Sequence, residues 1–143
     1  MTHDDSEIAY SDNWLTLRTD DKLIIHHYYM PSPTRTLNLS HIKSITPVSL
    51  LNLSRWEFKE WGAGYSFIFW PLDWSRKTYT WDGPSQEKRE HSLLIKTSEG
   101  VWRKIGVTCE DPERFLRTIE KMGVRVIRDV NDDVPPPAYT EGN

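Results

Sequence analysis

Ser92-Leu-Leu-Ile-Lys-Thr97, the turn Ser98-Glu-Gly100 and Val101-Trp-Arg-Lys-Ile-Gly-Val107 run straight into Asp111-Pro-Glu-Arg-Phe-Leu-Arg-Thr-Ile-Glu-Lys-Met122. Two short apolar runs around a glycine-containing turn predict a β-hairpin. In the next segment Phe115, Leu116, Ile119 and Met122 recur at helical spacing, which predicts an amphipathic helix with one buried stripe. Asp111 suits the N-cap, Pro112 the first helical position and Gly123 the stop. A hairpin followed by one closing helix places the decisive architecture at the C-terminal end.

Upstream the chain reads as more strands. Trp14-Leu-Thr-Leu-Arg18 alternates at period two, and Leu23-Ile-Ile-His-His-Tyr-Tyr-Met30 is rich in β-branched and aromatic residues. Arg35-Thr-Leu-Asn-Leu39 follows the stop Pro31-Ser-Pro33. Residues 41–48 are expected to be a turn of helix or a bend leading into extended chain. Trp56-Glu-Phe-Lys-Glu-Trp61 and Tyr65-Ser-Phe-Ile-Phe-Trp70 are expected to be strands, joined by a hairpin turn at Gly62-Ala-Gly64. Thr78-Tyr-Thr-Trp81 reads as a short strand and residues 82–90 as a polar loop, while Val124-Arg-Val-Ile127 adds a last short strand.

The 143 residues suit one domain, spanning 13–128, between an acidic lead-in (1–12) and an acidic, proline-rich tail (129–143), both expected to be disordered. The net charge of −3 hides an uneven distribution. Each end carries four acidic residues and no basic one, so the body holds all 18 Lys and Arg against 13 Asp and Glu. That mild excess lacks the clustered basic stripe of a nucleic-acid binder. A single cysteine, Cys109, excludes an internal disulfide framework, and with no leader-like segment in these residues a cytoplasmic setting is expected.

The fold class implied is mainly β with one C-terminal helix. Ile105-Gly-Val-Thr-Cys-Glu-Asp-Pro-Glu-Arg-Phe-Leu116 resembles the last-strand-into-helix junction of bacterial-type pleckstrin-homology-like (PH-like) domains. Trp61-Gly62, Trp70-Pro71-Leu72-Asp73 and Arg76 resemble a tryptophan-rich middle found in members of that group. The likeness covers about residues 13–128. It implies a split barrel of about seven antiparallel strands capped by the helix, and a binding or assembly module in place of an enzyme.

No catalytic, cofactor or metal set is read from the sequence. His26 and His27, adjacent on a strand, are expected to face opposite ways. His41 and His91 stand alone, and Cys109 has no evident paired histidine. In the first hairpin Arg18-Thr-Asp-Asp-Lys22 sets two aspartates where a phosphoinositide would need paired cations.

Two features point to protein partners. Pro136-Pro137-Ala138-Tyr139 fits the PPxY pattern read by WW domains, whose aromatic groove accepts a pre-extended polyproline segment. Trp70, Trp74 and Arg76 are candidates for a self-association surface. Both faces of the strand at 65–70 are apolar, so one face needs a cover: either residues 71–91 or another subunit. The function expected is a non-enzymatic, self-associating interaction or assembly module, with a WW-domain protein as a tail partner. The alternative is peripheral binding of lipid or another anion by the basic body. A hollow carrier of apolar ligands fits less well, because bulky aromatics fill the interior.

Overall fold

The computed structural model describes residues 7–28, 33–51, 53, 57, 59, 61–63, 67–73, 76 and 85–129. Nine strands among them form two sheets. The first is an antiparallel meander of β1 (Ile8–Ser11), β2 (Leu15–Arg18), β3 (Lys22–Ile25) and β4 (Arg35–Asn38). The second has the order β5-β8-β9-β7-β6, built from β5 (Ile42–Pro47), β6 (Gly62–Ala63), β7 (Phe69–Trp70), β8 (Ser92–Thr97) and β9 (Lys104–Thr108). Helix α1 (Gln86–Glu90) precedes β8 and helix α2 (Pro112–Lys121) follows β9. No ladder joins the two sheets among the described residues, so they do not close into a barrel.

Both sheets and α2 share one core. Leu15, Leu17, Leu23, Ile25 and Leu37 face it from the first sheet, and Ile45, Leu93, Ile95, Ile105 and Val107 from the second. Alternation produces this arrangement: in β2 Leu15 and Leu17 are buried while Thr16 and Arg18 are not. Helix α2 inserts Phe115, Leu116 and Ile119, each worth about 1.5–3 kcal/mol of burial. Asp111 caps it by accepting from the Arg114 amide at 3.3 Å. The Phe115 ring meets Tyr10 of β1 edge-on at 5.3 Å. Beyond the helix, Ile127 and Arg125 exchange backbone hydrogen bonds with Ile45 of β5. Helix α2 therefore spans the space between two edge strands, β1 and β5.

The second sheet is buried on its outer face as well. Val48, Ile68, Trp70 and Leu94 form a second small core there, with Leu51 and Leu53 packed against it. Trp70 packs against Gly106, and a Cβ at that glycine would clash with three carbons of the indole. The chain thus supplies this cover from its own middle, including residues 68–73, rather than leaving it to a second subunit.

Several expectations need correction. Residues 8–11, placed in the lead-in, form β1 and bury Tyr10. Residues 42–47 are a strand; the helical turn comes earlier, as a 3-10 turn at Leu39–His41. Residues 86–90, read as loop, form α1 behind the N-cap Ser85, whose hydroxyl accepts from the Lys88 amide. Strand β3 ends at Ile25 because His26 and His27 turn, with His27 at φ 59°. Gly62 and Ala63 are strand β6 rather than turn, with Gly62 at φ 99°. Residues 124–127 make one parallel bridge, through Val126, rather than a strand. The expected strand at 78–81 lies outside the described residues.

Overpacking a close contact costs about 1–3 kcal/mol. Gly106→Ala is therefore expected to lower the unfolding free energy from urea titration by that amount, and a shorter side chain in Trp70→Leu should recover part of the loss when the two are combined. Additive losses in the double-mutant cycle would show that the ring does not rest on Gly106.

Candidate functional site

Two of the residues proposed for a partner surface are interior. Trp70 is 0% exposed and Arg76 1% exposed, so neither offers a self-association face. The Trp70 indole donates to the Glu57 carbonyl at 2.8 Å, and the Arg76 guanidinium stacks 4.8 Å from its ring centroid. Arg76 also donates to the carbonyls of Lys59 and Pro71 and to the Thr108 hydroxyl. Thr108 in turn donates to Asp73 at 2.6 Å, and Lys88 reaches the same carboxylate at 3.3 Å. A buried guanidinium needs this saturation, because desolvating a charge without partners costs several kcal/mol. Together these contacts clasp the irregular middle onto the outer face of β9. Trp74, Pro136, Pro137 and Tyr139 lie outside the described residues.

Polar groups with chemical potential are also tied down. The Tyr10 hydroxyl donates to Asp12, contacts Cys109 Sγ at 3.4 Å and accepts from the Asp111 amide at 3.1 Å. This knot joins β1, the end of β9 and the start of α2. Burial pushes the Cys109 thiol up to about 12 and raises the Tyr10 phenol well above its usual range. Such a thiol is not a nucleophile at neutral pH. The His26 and His27 rings lie beside each other, 6.5 Å apart, rather than on opposite faces, since the turn after Ile25 removes the strand geometry. His26 bonds Thr16 at 2.8 Å and His27 packs on Trp14. Among the described residues no cluster of three His, Cys, Asp or Glu is placed to hold a metal ion.

A packed aromatic cluster with an exposed rim lies instead at the far end of β9, away from the Tyr10 knot: Tyr28 and Phe69 are buried and Trp102 is half-buried. Phe69 stacks with Trp102 at 5.5 Å, packs against Tyr28 at 4.6 Å and meets Trp61 edge-on at 6.4 Å. The Trp61 indole donates to the Tyr28 carbonyl at 3.2 Å. Val101 is 88% exposed and Trp61 38% exposed at its rim. A cavity of about 200 Å³ opens there, lined by Tyr28, Thr34, Arg35, Gly100, Val101 and Trp102.

Arg35 shapes this wall. Its guanidinium donates to Tyr28 Oη at 2.6 Å, to the Trp102 carbonyl at 3.0 Å and to the Glu99 carbonyl at 2.8 Å. Gly100, at φ 85°, leaves room for it, since a Cβ there would collide with the guanidinium. Glu99 braces the same turn by accepting from the Asn38 amide and pairing with His41 at 2.9 Å. Burial pushes the Glu99 carboxyl up, but these two hydrogen bonds outweigh it and hold it below the usual carboxylate range. The sequence pattern places Trp102 and Tyr28 in strands; the signal it offers for this rim is a tryptophan next to the Ser98-Glu-Gly100 turn.

Comparison with protein-family models, with curated proteins and with solved structures finds nothing that matches this chain.

The Tyr10–Cys109 knot leads to a pH test. Both protons are held more tightly folded than unfolded, so their contribution is complete below the unfolded thiol's pKa of about 8.5 and drains away as pH rises towards the folded values. The urea midpoint should therefore fall between pH 8 and 10.5, less steeply in Cys109→Ala. A thiol reagent at pH 8 should label Cys109 only as fast as the chain unfolds; prompt labelling of the folded protein would contradict the assigned burial.

Proposed function

We propose that this chain is a non-enzymatic protein-interaction module of PH-like layout. The exposed aromatic mouth is its body's binding surface, and the PPxY tail is a recruitment arm for a WW-domain protein. One observation carries the reading: Val101 and Trp61 stand exposed over a packed Tyr28–Phe69–Trp102 ledge beside a cavity. Aromatic side chains in a rigid, half-wet setting are the residues that dominate protein interfaces, because they bury large areas at little conformational cost. Support for the PH-like layout comes from the meander of four strands, the second sheet and the closing C-terminal helix. Self-association through Trp70 and Arg76 drops out of the proposal, since both are interior.

Anion or lipid binding is the weaker alternative. In the β2–β3 turn, Arg18 is held by Glu7 at 2.5 Å and by Asp20 at 3.0 Å, and Lys22 by Asn38 at 3.0 Å. The Arg18 guanidinium keeps the Asp20 carboxyl below its usual range, so this turn presents negative charge to an approaching phosphate. A groove of about 530 Å³ beside the start of α2 is rimmed by Glu90, Glu110, Asp111 and Glu113, with Arg128 as counter-charge. Neither place suits an anion.

Pull-down of WW-domain proteins with the full chain should succeed and should fall at least tenfold with Tyr139→Ala. Equal recovery of both forms removes the tail from the proposal. Sedimentation with anionic vesicles at low salt should leave the chain in the supernatant; salt-sensitive pelleting would favour the alternative.

A further inference from the structure

We infer that the aromatic mouth is occupied, within the same molecule, by the chain's own proline-rich segment Val134-Pro-Pro-Pro-Ala-Tyr139. The inference rests on the reading of the mouth as a binding surface, and it names the occupant. Three observations support it.

The first is chemical fit. A polyproline segment has no internal hydrogen bonds, presents flat apolar rings at about 3.1 Å per residue and leaves its carbonyls free. Stacked aromatic walls with an indole donor are what such a segment docks on. Here Tyr28 and Trp102 line a cavity of about 200 Å³, room for a pair of proline rings rather than for a helix. Among the described residues the Trp102 indole N–H has no acceptor, so it can donate to one of those carbonyls.

The second is reach. Ile45, Ile95, Ile105 and Phe69 lie in register across β5, β8, β9 and β7, and Val126 bridges to Ile45. Four steps of about 4.8 Å place Phe69 roughly 19 Å from Val126. Residues 128–134, extended at about 3.3 Å each, span roughly 23 Å, and the segment through Tyr139 adds roughly 15 Å more. The tail thus leaves the body close enough for its prolines to meet the mouth of the same molecule.

The third is charge. Arg35 borders the cavity, and Arg103 and Lys104 are exposed beside it at the start of β9. Glu99 in this region is already paired with His41 and the Asn38 amide. The tail carries Asp129, Asp132, Asp133 and Glu141 and no basic residue. Opposite net charge raises the local concentration of the tail at this rim.

One segment would then have two claimants, the mouth and an external WW domain. Its affinity for the external domain would be reduced by the fraction of time it spends docked. A ligand of the mouth would release the tail.

The test uses amide and indole NMR signals of the full chain, with the Trp61 and Trp102 indoles assigned by substitution to Phe. Pro136→Ala combined with Tyr139→Ala should move both indole signals and the Val101 amide. A peptide of residues 131–143 added to that variant should move them back. The wild-type positions should be constant over a tenfold range of protein concentration. Val101→Asp, a change at an exposed side chain that opposes the acidic tail, should shift the Ala138 and Tyr139 amides to their positions in the free peptide. Indole signals indifferent to the tail variant, or a docked state that appears only as concentration rises, would overturn the inference. In that event an unrelated proline-rich peptide separates the two ideas: if it shifts the indoles, the mouth remains a binding surface with another occupant; if it does not, the reading of the mouth falls too.

Discussion

The contact of Trp70 with Gly106 governs how the rest of this molecule is arranged. An indole laid on a strand requires a residue without a side chain beneath it, and β9 supplies one between Ile105 and Val107, which both point into the main core. The contact seals the outer face of the second sheet and fixes where the irregular middle must lie. Arg76 then has to be saturated, because it stacks on that indole and is cut off from water. Thr108, Asp73 and backbone carbonyls meet the requirement, and removing one partner of such a cluster typically costs about 3–5 kcal/mol. Burial on both faces explains why β8 reads as a continuous apolar run rather than an alternating one.

That arrangement also explains what was legible in the sequence. Strand β8 and helix α2 were clear, because a turn signal, a capping aspartate and a 3.6-residue stripe all agreed. Strand β2 was clear because one of its faces is wet. Strand β1 was not: four residues in an acidic stretch carry too little periodicity, and Tyr10 earns its place through a hydroxyl network reaching Cys109 and Asp111, which no local pattern encodes. Helix α1 was hidden because it buries no side chain, so no stripe marks it.

The candidate site was legible only in composition. An excess of tryptophan announced either a large core or an interface; Trp70 is wholly interior, while Trp61 stays partly exposed. Alternation alone sent attention to Trp70, since two apolar faces demand a cover. It could not tell that the cover would come from the same chain, because that depends on Arg76 meeting Thr108 across a long stretch of sequence. The exposed rim lies where local reading is weakest, at turn residues 98–102, whose shape is set by Arg35 from the other sheet.

The two ends of the main core are closed by different physics. At one end α2 drops an aliphatic and aromatic stripe between β1 and β5 and is locked by the Tyr10 hydroxyl knot. The Tyr10 hydroxyl, the Asp12 and Asp111 carboxylates and the Cys109 thiol all have partners inside the molecule. At the other end packed rings make the closure and Arg35 braces them. Tyr28, Phe69 and Trp102 hold one another by stacking, and Arg35 hydrogen-bonds the backbone behind them, so the ledge stays rigid although its rim is wet. The rings are thereby held in place at little further cost in side-chain freedom. The two ends thus differ in kind: one is locked by a hydroxyl knot beneath a helix, the other by packed rings braced by a guanidinium.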